Sequence, residues 1–172
     1  MLSETVNKAL NEQINAELYS SYLYYAMAAY FDDTGLPGAS HWMKTQAVEE
    51  MLHAHKFFGY VADRAGRVLL ERIEKPQESW ASPLAAFEAA YAHEVKITGL
   101  INGLVKLARQ ESDFNTDNFL QWFVAEQVEE EATANDVIQK LKLVDQSKGG
   151  LFMIDRELAT RTIVLPPEVI GA

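Results

Sequence analysis

Glu50 and His53 stand three residues apart in the stretch Glu49-Glu50-Met51-Leu52-His53. In a helix that spacing puts a carboxylate and an imidazole on one face. The face is apolar, because Met43 lies seven residues before Glu50 and Phe57 seven after it. An ionisable pair on a core stripe is costly unless something neutralises it. In helical bundles that partner is iron or manganese, held by Glu-x-x-His together with glutamates from facing helices.

Three further glutamates occupy the same kind of place. Glu17 has Leu10 seven residues before and Tyr24 seven after; Glu94 has Phe87 and Ile101; Glu130 has Phe123 and Val137. Seven residues is almost two helical turns, so each glutamate interrupts a buried stripe. A single such glutamate is an exposed edge residue, or a buried one satisfied by Arg or Lys, since ionised residues are rarely fully buried. Four of them with a histidine, and no comparable set of cations in the seams, point to a metal site.

The elements that must position these residues are helices. Val6, Leu10, Ile14, Glu17, Ser21, Tyr24 and Ala28 follow the helical period in a run without Gly or Pro. The pattern predicts helices over about 3–33, 39–65, 83–110, 116–145 and 150–159, with an extended tail over 160–172 that contains Pro166-Pro167. Gly35-Leu36-Pro37-Gly38 is expected to turn the chain between the first two, and Gly66 to stop the second. Ser82-Pro83 marks the start of the third, Thr116 or Asn115 caps the fourth, and Gly149-Gly150 separates the fifth. Hairpin, long crossover, hairpin and short helix make an all-α, ferritin-like four-helix bundle with one long crossover plus a short fifth C-terminal helix.

The chain has 172 residues, one domain by default, and 48% apolar residues, enough for a core. It has no cysteine, which excludes disulfides, thiolate metal sites and a Cys nucleophile and suits a reducing cytoplasm. No apolar run reaches membrane length and no secretory signal is visible at the N-terminus. The net charge of -10 argues against nucleic acid and suits a protein that attracts cations.

The sequence resembles the non-haem prokaryotic ferritins over essentially its whole length. The resemblance is carried by NEQINAELYSSYLYYAMAAY, QAVEEMLHAHKF, AFEAAYAHE, FLQWFVAEQVEEE and, later, FMIDREL, in that order. It implies a ferroxidase that oxidises Fe(II) with O₂ and stores ferric oxyhydroxide in a homo-oligomeric cage of 24 chains. It also implies one iron between Glu17, Glu50 and His53, and a second between Glu50, Glu94 and Glu130, with Glu50 bridging. That set is chemically apt: glutamates supply the hard oxygens Fe(III) prefers, and one imidazole raises affinity for Fe(II). A third iron site is implied at Glu49, Glu126, Glu129 and Glu130, and Tyr24 is implied beside the di-iron centre as a hydrogen-bonding or electron-donating group.

Gln127 separates subfamilies. Bacterioferritins and rubrerythrin-like proteins carry a second Glu-x-x-His on the fourth helix, where this chain has Gln127-Val128-Glu129-Glu130. An amide replaces a ligand carboxylate and a glutamate replaces the histidine, so the second iron is expected to be held weakly and passed onward. The competing reading, a non-storage di-iron peroxidase of the rubrerythrin type, would want that second motif and a Cys-rich iron domain. A purely structural bundle would have no reason to keep unpaired carboxylates in its core. Met51 stands where bacterioferritins present a haem ligand, but the remaining motifs are non-haem and no haem is expected. His41, His55 and His93 are expected at surface or interface positions, Glu131 at the surface, Trp122 either joining the electron chain at the site or packing in the core, and Asp117 at a helix terminus or pore.

Overall fold

A computed structural model of the chain describes residues 2–144 and 147–163. It contains α1 (Glu4–Asp33), α2 (Pro37–Asp63), α3 (Pro83–Gln110), α4 (Phe114–Val144) and α5 (Lys148–Leu158), with no strand among the described residues. α1 packs along α2 and α3 along α4; the two hairpins meet where α1 faces α3, and α5 lies against α2 and α4. Short turns force each hairpin to be antiparallel, and the non-helical crossover between α2 and α3 spans the length of the bundle. The crossover is pinned by Asn11 of α1, whose amide donates to the Arg67 carbonyl at 3.0 Å and accepts from the Leu69 amide at 2.6 Å. Residues 164–172 of the expected extended tail, Pro166-Pro167 among them, lie outside the described residues, as does residue 145 at the expected end of α4.

Helix boundaries differ from the sequence reading where the cap comes from elsewhere in the chain. α2 starts at Pro37 rather than 39, with Pro in its first turn and no side-chain cap of its own. Its Ala39 amide is instead satisfied by Asp155 Oδ1 of α5, at 2.8 Å. α4 starts at Phe114, and its cap is Asp113 rather than Thr116 or Asn115: Asp113 Oδ1 accepts from the Thr116 amide at 3.2 Å. Both Asp113 carboxylate oxygens also accept from Arg64 Nη2 at 3.1 Å, tying the end of α2 to the start of α4. Gly149 and Gly150 lie inside α5, capped by Ser147, rather than before it. Ala65, not Gly66, takes the left-handed position that ends α2, at φ 55°.

The core falls into two apolar clusters. One gathers Tyr24, Met27, Phe31, Trp42, Met43, Phe87, Val137 and Ile138. The other gathers Leu10, Ile14, Phe57, Val61, Ile97, Ile101, Leu120 and Phe123. Between them runs a belt of buried polar groups from all four long helices: Glu17, Gln46, Glu50, His53, Glu94, Gln127 and Glu130. Every apolar residue placed seven positions from a site glutamate is at most 3% exposed, so each helix enters and leaves the belt through close packing. No helix among the described residues is long and apolar enough to cross a membrane.

Candidate metal centre

Glu17, Glu50, Glu94 and Glu130 are 1%, 1%, 1% and 6% exposed, and His53 is 5% exposed. Four carboxyls this deep require partners. Glu17, Glu50 and His53 offer ligand atoms that all lie within 4.8 Å of one another. His53 Nδ1 is 3.4 Å from Glu50 Oε2. Glu17 Oε1 accepts from Gln13 Nε2 at 2.8 Å, while its Oε2 is buried without a hydrogen-bond partner. An orphaned carboxylate oxygen beside a second carboxylate and an imidazole is a donor set that fits a divalent cation.

The second position is filled by hydrogen bonds of the protein's own. Gln46 Nε2 donates to Glu50 Oε1 at 3.0 Å and to Glu130 Oε2 at 2.7 Å. Glu94 accepts from the Tyr24 hydroxyl, and its Oε2 accepts from Gln127 Nε2 at 3.2 Å. Gln127 therefore turns its N–H toward Glu94 and Thr98 Oγ1, the latter at 3.3 Å. A second group, His53, Glu126 and Glu130, also brings its ligand atoms within 4.8 Å. Glu49 stands outside that group with its carboxylate on Arg161, and Glu129 is exposed.

Burial and mutual repulsion decide which groups keep protons. Burial, then the neighbouring Glu50 charge, pushes both Glu17 and Glu130 up to about 8. Glu94 is driven well above the carboxylate range by burial and by Glu50 and Glu130. For Glu50, burial acts upward, but the hydrogen bond and charge of His53 and the Gln46 amide hold it below the usual value. For His53, burial acts downward and is overcome by Glu50, Glu17 and Glu130, which lift it to about 10. The balance of burial and charge thus favours an ionised Glu50 beside a protonated His53, while Glu17, Glu94 and Glu130 keep their protons to higher pH than ordinary carboxylic acids. Tyr24 is raised well above its usual value by burial and the Glu94 charge, so its hydroxyl stays protonated.

Three residues beside the centre are not picked out by the sequence reading. Gln13 and Gln46 each lie four residues before a site glutamate, a Gln-x-x-x-Glu spacing that appears in both α1 and α2 and could have been noticed. Arg161 follows α5 and no local signal connects it to Glu49. His93 is a correction: expected at a surface or interface, it is 9% exposed in the single chain, bonded to Ser20 Oγ at 2.7 Å, and lowered to about 4 by burial. Glu131 is only half-exposed and accepts from Thr98 Oγ1 at 2.5 Å. His41 and His55 are exposed, and Met51 is 46% exposed outside the centre. Trp122 stacks edge-on against His53, ring centres 5.4 Å apart. Asp117 lies in the first turn of α4, with Arg109 Nε on its Oδ2 at 3.0 Å.

A bundle with Glu-x-x-His on one helix and glutamates from the other three defines the class of carboxylate-rich metal-binding four-helix proteins. Within that class the chain belongs to the ferritin family, since the family model for the Ferritin-like domain matches residues 7–144. It is 42% identical over 161 residues to a bacterial non-heme ferritin of Bacteroides fragilis (strain 638R), covering 94% of this chain and 100% of that one. It is 40% identical to a bacterial non-heme ferritin of Escherichia coli O6:H1, over 93% of this chain and 97% of the relative. Among solved structures, an open pore ferritin from the hyperthermophilic archaeon Archaeoglobus fulgidus superposes with a TM-score of 0.93 at 54% identity. That match covers 94% of this chain and 100% of the other.

Proposed function

We propose that the chain is an iron-storage ferroxidase: it oxidises Fe(II) with O₂ at the buried centre and retains the ferric product as an oxyhydroxide mineral. The observation that carries this is the convergence of Glu17, Glu50 and His53 ligand atoms within 4.8 Å in a belt that also holds Glu94 and Glu130. In this reading Fe(II) is substrate. Glu17, Glu50 and His53 bind one ion, and Glu50, Glu94 and Glu130 bind a second once the Gln46 and Gln127 amides and the acid protons give way. Glu50 bridges the two, its negative charge offsetting their repulsion. Two Fe(II) supply two electrons, so O₂ with two protons is reduced to hydrogen peroxide. Protons displaced from Glu17, Glu94 and Glu130 on binding can be drawn on for that step. Hydrolysis of each Fe(III) to oxyhydroxide then releases three protons.

Further features extend the same reading. Glu49, Glu126, Glu129 and Glu130 form a third iron site, supported by the proximity of His53, Glu126 and Glu130. Tyr24, bonded to Glu94, and a third Fe(II) each give one electron, and with two protons, one of them the Tyr24 phenol proton, these reduce hydrogen peroxide to water. The chain assembles into a homo-oligomer, a cage of 24 copies. Tyr22, Tyr25, Met51 and Phe58 on the α1–α2 hairpin are 43–51% exposed on the single chain, apolar surface that suits burial against further copies. A cytoplasmic location fits the absence of cysteine.

The test is anaerobic loading with Fe(II), exposure to O₂, and gel filtration, for the wild type and Glu50→Ala. Storage stands if the wild type oxidises iron quickly and co-elutes as a large particle with far more iron than its binding sites can hold, while Glu50→Ala loses the fast phase. Iron that stops at about two per chain on a small oligomer would overturn it.

A further inference from the structure

Arg161 lies just beyond α5, and its guanidinium reaches back to α2. Nη2 is bonded to Glu49 Oε2, the guanidinium carbon sits 4.2 Å over the Trp42 ring, and the Arg161 carbonyl is 2.8 Å from His41 Nε2. The side chains of Arg161 and Glu49 are only 15% and 16% exposed. Arg161 Nη1 is buried with no hydrogen-bond partner, so the guanidinium is only partly satisfied. A partly satisfied buried cation is held weakly for its burial, because the desolvation it has suffered is not fully offset. Glu49 adjoins Glu50 in the chain, yet the preformed group on that side is His53, Glu126 and Glu130 without it. Arg161 therefore occupies the carboxylate that would complete the inner acidic cluster.

We infer that Arg161 is a latch on this cluster: it neutralises Glu49 while no metal cation is present, and a divalent cation bound by Glu49, Glu126, Glu129 and Glu130 displaces it. The inference rests on the third-site reading given above. A dication replaces a monocation, so Glu49 is compensated in both states and the added charge offsets the neighbouring carboxylates. The displacement removes the Glu49 and Trp42 contacts that fix Arg161, and with them the anchor of residues 159–163 just after α5. Occupancy of the third site is thereby coupled to the order of that segment, and Arg161 sets the affinity of the site by competing for its ligand. Arg161 acts as a positioning residue here, since it touches a ligand and not the metal.

Anaerobic calorimetric titration of the assembled protein with Zn(II), a cation that is not oxidised, tests this together with hydrogen-exchange mass spectrometry of the 155–163 region. Arg161→Ala is expected to tighten the weakest Zn(II) equivalent about tenfold, and Arg161→Lys to fall in between. In the wild type, Zn(II) at that equivalent is expected to speed exchange after α5; in Arg161→Ala exchange is fast throughout and insensitive to Zn(II). Glu49→Gln is expected to remove that equivalent altogether. If Glu49→Gln leaves the number of bound Zn(II) unchanged, the third-site reading fails and the latch with it. If Glu49→Gln removes one equivalent while neither Arg161 variant changes its affinity, the third site stands and the latch is wrong. Should Arg161→Ala fail to assemble, Arg161→Lys carries the comparison, and wild-type affinity with Zn(II)-insensitive exchange refutes the latch.

Discussion

Gln46 Nε2 donates to Glu130 Oε2 at 2.7 Å, joining α2 to α4 across the centre of the bundle. The same N–H₂ group also serves Glu50 Oε1, so one neutral amide stands between two buried acids. Gln46→Leu removes both bonds at nearly constant volume and leaves two acid groups short of a donor. The metal-free protein is expected to lose about 1–3 kcal/mol. Metal bound at those oxygens should restore most of the loss. Urea unfolding with and without Zn(II) measures both; equal destabilisation in the two conditions would show that Gln46 serves packing alone.

The metal-free centre makes stability fall as pH rises. Glu17 and Glu130 go from an ordinary 4.5 to about 8 on folding, so the folded state binds protons that the unfolded state has lost. Their contribution is complete below 4.5 and is lost progressively up to about 8. His53 goes from 6.5 to about 10, so its contribution is complete below 6.5 and is lost as pH rises through 10. Glu50, held below 4.5, and His93, lowered from 6.5 to about 4, work in the opposite sense, but only below about pH 6.5. The thermal midpoint of the metal-free protein should therefore decline from about pH 5 toward pH 9. Metal affinity should rise over the same range, because binding expels those protons. Calorimetry in buffers of different ionisation enthalpy counts them; no proton release near pH 7 would refute the assignment.

Gly38 is needed for the docking of α5. A Cβ at this position would lie 1.7 Å from the Asp155 carbonyl oxygen. Gly38→Ala must push α5 away and break the bond from the Ala39 amide to Asp155 Oδ1. The expected cost is at least about 3 kcal/mol, against about 1 kcal/mol for Asp155→Ala, which removes only the cap. Chemical denaturation of the two variants compares these costs, and near-equal losses would mean that α5 relocates freely.

Gln127 faces Glu94 with a donor where the symmetric di-iron proteins have a carboxylate. Replacing Gln127 with Glu and Glu130 with His creates a second Glu-x-x-His on α4. Iron should then remain longer at the centre and mineralise more slowly. Stopped-flow oxidation followed by chelator capture reads the residence time, and wild-type turnover in the double variant would sink the idea that a weak second position passes its iron onward.

The sequence alone determined the four long helices and the glutamate that each buries in the belt between the two apolar clusters. A buried acid in a helical stripe betrays itself locally: the apolar residues seven positions on either side mark the face, and burial without a cation is too costly to be accidental. Only the tertiary structure decided how those acids are satisfied. Gln46 serving Glu130, Asp155 capping α2, Arg161 on Glu49 and His93 on Ser20 join residues 84, 116, 112 and 73 positions apart. No local periodicity encodes such pairings, because they depend on how the two hairpins and α5 come together. The same limit explains the helix starts. Ser82 caps α3 through its own side chain and is visible in the sequence, whereas α2 is capped by a carboxylate from the other end of the chain.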